Sequence, residues 1–238
     1  MGTAMSSDAV IWHDLECGAY DADLPHWHAL ARRYPGVVLD VGAGTGRVAL
    51  PLARAGHDVI ALERDGELAE ELARRAQGLA VEVLCADACA FKLAEPVALA
   101  IVPMQTIHLF EERSAFLACA RRALAPGGLL AVALLGEGAE PFELELEPDT
   151  IELGPVRYES TPTALRRRDG AVLLERRRSR ISGAGAETAV DLVRLAKCDP
   201  QTLCAEAAAA GFDALDPRVI EPTREHAGSE IVCLGVPA

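Results

Sequence analysis

The sequence predicts an α/β fold, a doubly wound, Rossmann-like sheet of seven strands carrying an inserted antiparallel β subdomain. Three observations lead there. From residue 37 onward, short aliphatic or β-branched runs alternate with helix-length stretches, the pattern of parallel strands joined by crossover helices. The first of those runs leads directly into a glycine-rich turn, Gly42-Ala43-Gly44-Thr45-Gly46. Between residues 142 and 196 the helical stretches give way to alternating segments, which read as an antiparallel meander.

Each element follows from its residues. Val37 to Val41 is the first strand, and Val48 to Ala55 belongs to a helix opening at Gly46. Pro51 lies inside that helix and cannot donate to the carbonyl of Arg47, so a kink or loose turn is expected there. Asp58 to Leu62 is the second strand, and the charged stretch Gly66 to Ala76 is its following helix. Strands at Ala80 to Cys85 and Val97 to Val102 come next. The helix Glu111 to Leu124 then presents Phe116, Leu117, Ala120 and Leu124 on one face, and Ala125-Pro126-Gly127-Gly128 stops it before an apolar strand, Leu129 to Leu135. The meander is expected at Phe142 to Glu147, Val156 to Thr161, Ala164 to Arg168 and Val172 to Arg180, turning at Asp169-Gly170. A helix at Pro200 to Ala210, a strand near Phe212 to Ile220 and a last, antiparallel strand at Glu230 to Val236 complete the sheet. One domain over residues 1–238 is expected, with residues 142–196 as a cap over the carboxyl edge of the strands.

Composition narrows the class. No run of about 18 apolar residues is free of charges or breakers, so a soluble protein with no membrane partner is expected. Met1 to Ala9 carry no basic region followed by an apolar one and read as a frayed terminus, not a secretory signal. The seven cysteines, at 17, 85, 89, 119, 198, 204 and 233, are odd in number and several sit in apolar runs, which suits buried thiols in a reducing cytoplasm. Cys85-x3-Cys89 has no second pair at zinc-binding distance. A net charge of −13 disfavours attraction to a polyphosphate, so no nucleic-acid substrate is expected. Two basic runs, Arg166 to Arg168 and Arg176 to Arg178, flank Asp169-Gly170 and read as a solvated hairpin face, with an anion-reading surface as the alternative.

The chemistry gathers at strand ends. Glycines after Asp40-Val41 let the backbone turn sharply and approach a ligand that a Cβ would repel. A dinucleotide fingerprint places a third glycine where this chain has Arg47, which argues against a pyrophosphate packed on the helix N-terminus. Glu63 ends the next strand where a ribose diol would lie and can accept from both hydroxyls; a salt bridge to Arg64 is the plainer reading. Asp87, after the third strand, could accept from an exocyclic adenine amine or simply cap a turn.

Together these residues resemble the class I S-adenosylmethionine-dependent methyltransferase family over residues 20 to 135 and 200 to 238, through Val38-Leu39-Asp40-Val41-Gly42-Ala43-Gly44-Thr45-Gly46-Arg47 above all. The resemblance implies S-adenosyl-L-methionine as cofactor. It assigns Gly42, Ala43 and Gly44 to the methionine portion, Glu63 to the ribose, and Asp87 and Ala88 to the adenine, with Tyr20, Asp40, Arg64, Val102 and Met104 also among the cofactor-binding residues. Tyr20-Asp21 is similar to the Tyr-Asp pair that small-molecule members place over the methionine end. Val97-Ala98 depart from the Asp that often opens the family's fourth strand. Val102-Pro103-Met104-Gln105 is neither the Asn/Asp-Pro-Pro-aromatic motif of amino-group DNA methylases nor an acidic metal ligand, and no cysteine follows a proline. Metal-independent methyl transfer to a small-molecule acceptor is the function expected.

Such a transfer is an in-line displacement at an already activated carbon, so positioning supplies most of the rate. Tyr20 and His108 are the candidate catalytic residues, with His13 and Gln105 also near the expected site; the loop around Glu225 and His226 shares that edge. Two other readings use the same turn. A nicotinamide-dependent oxidoreductase is disfavoured by Arg47 and by the absence of a Tyr-x3-Lys motif, and a catalytically inactive S-adenosylmethionine-binding protein would bind without turnover.

Overall fold

The computed structural model describes residues 7–135, 141–143, 147–221 and 228–238. The chain divides into two units, Met1–Ala19 with Ala139–Lys197 and Tyr20–Gly138 with Cys198–Ala238.

The larger unit holds the doubly wound sheet. Its strands are β1 (Val38–Val41), β2 (Val59–Glu63), β3 (Val81–Cys85), β4 (Val97–Val102) and β5 (Leu124–Leu135), with two more from the C-terminal stretch of the chain, Asp213–Ile220 and Ser229–Gly235. Those two become β11 and β12 once the smaller unit's strands are counted, and the spatial order is β11-β12-β5-β4-β1-β2-β3. β1 pairs in parallel with β2 and β4, while β12 runs antiparallel to both β5 and β11, so the last strand has the expected sense. Every residue of β1 is buried, as a central strand covered on both faces requires. The covering layers are α2 (Leu24–Arg33), α3 (Ala49–Arg54), α4 (Gly66–Arg75), α5 (Arg113–Ala123) and α6 (Pro200–Ala209). Asp65 caps α4 by accepting from the Glu67 and Leu68 amides, and Asp199 caps α6 through the Thr202 amide, with Pro200 in the first turn.

Three local departures have physical causes. α3 is only six residues, Ala49–Arg54: Pro51 falls in its first turn, where a missing N–H is tolerated, and Gly56 at φ +90° ends the helix just beyond it. The helix α5 passes straight into β5 at Leu124, so residues 125–128 are a bulge within the strand and not a separate turn. There the pairing with β4 jumps from Val97↔Leu124 to Leu99↔Leu129, and Gly127 adopts φ +74° while its amide donates to Val236. The sequence reading also lacked α2, whose Trp27, Leu30 and Ala31 are buried.

The smaller unit is an antiparallel sheet. Its strands are β6 (Phe142–Glu143), β7 (Asp149–Leu153), β8 (Val156–Arg168), β9 (Ala171–Ser182) and β10 (Gly185–Ala196), ordered β10-β9-β8-β6 with β7 on β8. Asp169 and Gly170 both have positive φ, 51° and 69°, which gives the two-residue turn its twist. The two expected segments either side of residue 163 are one strand with a bulge between Pro162 and Ala164. Of the expected strand Phe142 to Glu147, residues 144–146 lie outside the described residues. This unit includes α1 (Asp8–Cys17), capped by Ser7, where a frayed terminus was expected up to Ala9; residues 1–6 lie outside the described residues. Trp12 meets Tyr158 edge-on at 5.2 Å, and Glu16 accepts from Ser160 and takes a two-pronged bond from Arg178.

Three of the six arginines in the basic runs, and Arg180 just beyond them, are paired with carboxylates in this unit. Arg178 also pairs with Asp191, Arg166 with Glu175, Arg180 with Glu187 and Arg168 with Asp169. That arrangement supports the hairpin-face reading over an anion-reading surface. Among the described residues no helix is long and apolar enough to cross a membrane, and all seven cysteines are free thiols.

Candidate active site

The strand order reverses between β1 and β4, and the loops leaving their carboxyl ends form a crevice of the kind that binds ligands in open α/β sheets. After β1 comes the turn Gly42 to Gly46; after β4 come Pro103 to Gln105 and a 3-10 turn, Thr106–Leu109. The two loops touch. A Cβ on Gly42 would lie 2.4 Å from Thr106 Cγ2, and Gly42 has φ +71°, so both space and backbone demand glycine. The Gly42 and Ala43 amides donate to the Leu62 carbonyl at 2.8 and 3.0 Å, which ties the turn to β2. Met104 holds φ +53°, a left-handed conformation costly for a side chain with a Cβ, at the mouth of the crevice beside buried Val102.

Two buried carboxylates face this turn's frame. Glu63 accepts from the Gly44 amide through Oε2 at 2.8 Å and from the Asp65 amide through Oε1 at 2.9 Å. Each oxygen keeps a lone pair, so the residue can tie two loops together and still accept from a diol. The salt bridge to Arg64 weighed as the plainer reading gives way to these backbone bonds; Arg64 itself is exposed, and its carbonyl meets the Cys85 thiol. Asp40, in the middle of β1, is buried with neither carboxylate oxygen hydrogen-bonded. Burial pushes its carboxyl up to about 7, with Asp23 and Glu63 adding to the rise; the Arg47 charge opposes it, as does the nearby Ala49 N–H, which falls short of hydrogen-bond geometry. An orphaned buried carboxyl beside a glycine cradle fits a cationic ligand group. Asp87 is exposed and caps its own turn through the Cys89 amide at 2.8 Å, while Ala88 is buried behind it.

Tyr20 is buried and sits at the start of the larger unit. Burial and the nearby Asp23 carboxylate push its phenol above the ordinary value, opposed by Arg47 and a hydrogen bond with Ser229. The hydroxyl is therefore neutral through the physiological range and serves as a hydrogen-bonding group, not a phenolate base. His108, the other candidate base, is buried, and its Nε2 accepts the Leu135 amide at 3.0 Å, closing the 3-10 turn onto the end of β5. That lone pair is committed to the backbone. Gln105 precedes the same turn, His13 lies on α1 in the smaller unit, and Glu225 and His226 lie outside the described residues.

Sequence reading used Arg47 only to exclude a pyrophosphate and missed what it holds. Its guanidinium grips Asp23 with both arms, Nη1 to Oδ1 at 2.6 Å and Nη2 to Oδ2 at 2.8 Å, and Asp23 also accepts the Trp27 indole N–H at 2.8 Å. An arginine amid the apolar residues that open α3 calls for a buried carboxylate partner, and that was the signal the sequence offered. Among the described residues no three His, Cys, Asp or Glu side chains are arranged to hold a metal ion.

A sheet of this order, with a glycine turn at its switch point and an acidic residue closing the next strand, is the class I methyltransferase fold. Residues 38–128 match a family described as a methyltransferase domain. Compared with curated proteins, the chain has no match in sequence. Among solved structures it is similar to the sugar N-methyltransferase KedS8 from Streptoalloteichus sp ATCC 53650, with TM-score 0.79, 16% identity, and 100% of this chain and 96% of that one covered. It is also similar to DesVI from Streptomyces venezuelae, with TM-score 0.76, 18% identity and 100% of both chains covered. CalS10, an amino pentose methyltransferase from Micromonospora echinaspora solved with S-adenosylmethionine bound, gives TM-score 0.74 and 17% identity over 98% of this chain and 99% of its own.

Proposed function

We propose that the chain transfers a methyl group from S-adenosyl-L-methionine to a small-molecule acceptor, an amino group on a sugar. The glycine turn locked to Glu63 at the switch point carries the first half of this reading. The second half rests on KedS8 and CalS10, whose acceptors are a sugar nitrogen and an amino pentose and which share the fold over nearly the whole chain. When bound, the cofactor supplies a sulfonium-activated methyl carbon and leaves as S-adenosyl-L-homocysteine.

The chain's own residues bind and orient. Asp40 offers its orphaned carboxyl to the methionine ammonium, and Glu63 offers lone pairs to the ribose hydroxyls. Asp87 and Ala88 border the adenine end, and Tyr20, Val102 and Met104 border the methionine end. Tyr20 donates or accepts one hydrogen bond as a neutral phenol, and His108 holds the loop after β4 in place. With the cofactor bound, an acceptor amine held in line would take the methyl group from sulfur and release its surplus proton to solvent. Alignment, not covalent help, is the protein's contribution, and no metal is required. Seven free thiols suit a reducing cytoplasm.

Calorimetry with S-adenosyl-L-homocysteine and with NADH tests the cofactor half: binding of the first and none of the second is expected, and the reverse would overturn it. A panel of nucleotide-linked amino sugars, phenols and carboxylic acids tests the acceptor half. Methylation confined to phenols or acids would reject the amine.

A further inference from the structure

Tyr20 is held at two points by one residue of the glycine-turn segment, which also holds Asp23. Arg47, immediately after Gly46, donates through Nη1 to the Tyr20 carbonyl at 2.8 Å and sets its guanidinium 5.1 Å from the centre of the Tyr20 ring. Its two arms close on both oxygens of Asp23, three residues on, in an ion pair whose side chains are 8% and 1% exposed. Asp23 is in turn fixed by Trp27, and its carbonyl accepts the His26 and Trp27 amides that start α2.

We propose that Arg47 is a positioning residue for Tyr20: it clamps the segment from Tyr20 to Asp23 onto the glycine turn, so that the cofactor cradle and the tyrosine beside it are ordered as one piece. This rests on the reading of Tyr20 as a neighbour of the cofactor.

Physical chemistry favours this role over simple stabilisation. Burying a charge pair costs desolvation that the pair's attraction often fails to repay, so such a pair is weak support for stability and better suited to fixing geometry. Only arginine can perform all three tasks at once, since its planar fork matches a carboxylate, keeps further N–H groups for a carbonyl, and stacks on a ring; a lysine ammonium can satisfy one or two of these. The clamp also crosses between separate elements, the chain before α2 and the turn after β1, which the backbone bonds of the sheet do not connect.

The test uses the full chain with two variants. Arg47→Lys keeps the charge and loses the fork, while the double variant Asp23→Asn/Arg47→Met removes both charges and leaves no bare ion in the core if the single variant fails to fold. Hydrogen exchange is followed by mass spectrometry in peptides covering residues 18–27, with β1 and β2 peptides as internal controls. Exchange in residues 18–27 is expected to quicken by about tenfold or more in both variants while β1 and β2 are unchanged. With an amino-sugar acceptor, kcat is expected to fall about tenfold or more while the KM for S-adenosylmethionine changes less than about threefold, the mark of alignment lost and binding kept. The KM arm separates lost positioning from a cradle that has simply come apart. Unaltered exchange in residues 18–27 overturns the clamp, and faster exchange with unaltered kcat overturns its role in positioning. Failure of the proposed function shows separately, as a wild-type protein that binds no S-adenosyl-L-homocysteine, and leaves the exchange measurement to stand on its own.

Discussion

Replacing Asp40 by Asn should make the protein more stable at alkaline pH and a poorer binder of its cofactor. Asp40 is buried, both oxygens lack partners, and its carboxyl is raised from 3.8 to about 7. The folded chain thus holds a proton that the unfolded chain releases, so this group's contribution is fully present below about pH 4 and is lost as the pH climbs through about 7. A rise of about three pH units, at about 1.4 kcal/mol each, sets the loss at about 4 kcal/mol above that window. The amide in Asn avoids the bare charge but leaves its own polar atoms unsatisfied, at about 1–3 kcal/mol, so the net gain is about 1–3 kcal/mol. In a unit of this size that is roughly 2–10 °C in melting temperature at about pH 8, shrinking toward zero or reversing at about pH 5. Scanning fluorimetry of both proteins across that range measures it directly. A gap between them that does not change with pH would refute the reasoning, because it would mean that Asp40 is ionised, or protonated, throughout. The same variant should bind S-adenosylmethionine more weakly, since the proposed partner of the methionine ammonium loses its charge.

Other variants probe the remaining contacts. Glu63→Gln keeps one acceptor for the Gly44 amide but removes the charge, and should weaken S-adenosyl-L-homocysteine binding by about 1–3 kcal/mol in calorimetry; unchanged affinity would remove Glu63 from the site. His108→Leu strips the acceptor from the Leu135 amide and should lower stability by about 1–3 kcal/mol while leaving the shape of the pH–rate profile intact; a flattened acidic limb would reinstate His108 as a base. Gly42→Ala drives a methyl into Thr106 and strains a backbone at φ +71°, so cofactor binding should be lost, and Thr106→Ser in the same chain should restore part of it by removing Cγ2. Binding by Gly42→Ala equal to the wild type would show that the turn tolerates a side chain.

Much of this was legible in the sequence because the signals are local. The central strands β1, β2, β4 and β5 announce themselves as apolar runs, Asp169-Gly170 as a tight turn, and Gly42 to Gly46 as a place where the backbone must do what side chains forbid. The misses were of another kind. Val10 and Ile11 are the buried residues of α1 and stand side by side, which gives no helical period, and α2 opens with Leu24-Pro25, which reads as a break as readily as a first turn. Pro162 split one strand into two because a proline in a run looks like an ending when it marks a bulge. At the candidate site, position along the strand singles out Glu63, but its bonds to Gly44 and Asp65 depend on which loops meet, and Arg47 with Asp23 is a pairing over 24 residues that no short window reveals.

Transfer itself is the most direct test. The purified chain, with S-adenosylmethionine deuterated on its methyl group, is incubated with a nucleotide-linked amino sugar in the presence of EDTA, and products are read by mass spectrometry. The account predicts an acceptor carrying the intact deuterated methyl on nitrogen, one equivalent of S-adenosyl-L-homocysteine per methyl, and a rate indifferent to the chelator. Binding of S-adenosyl-L-homocysteine without transfer to any acceptor tried, or transfer that requires added magnesium, would contradict it.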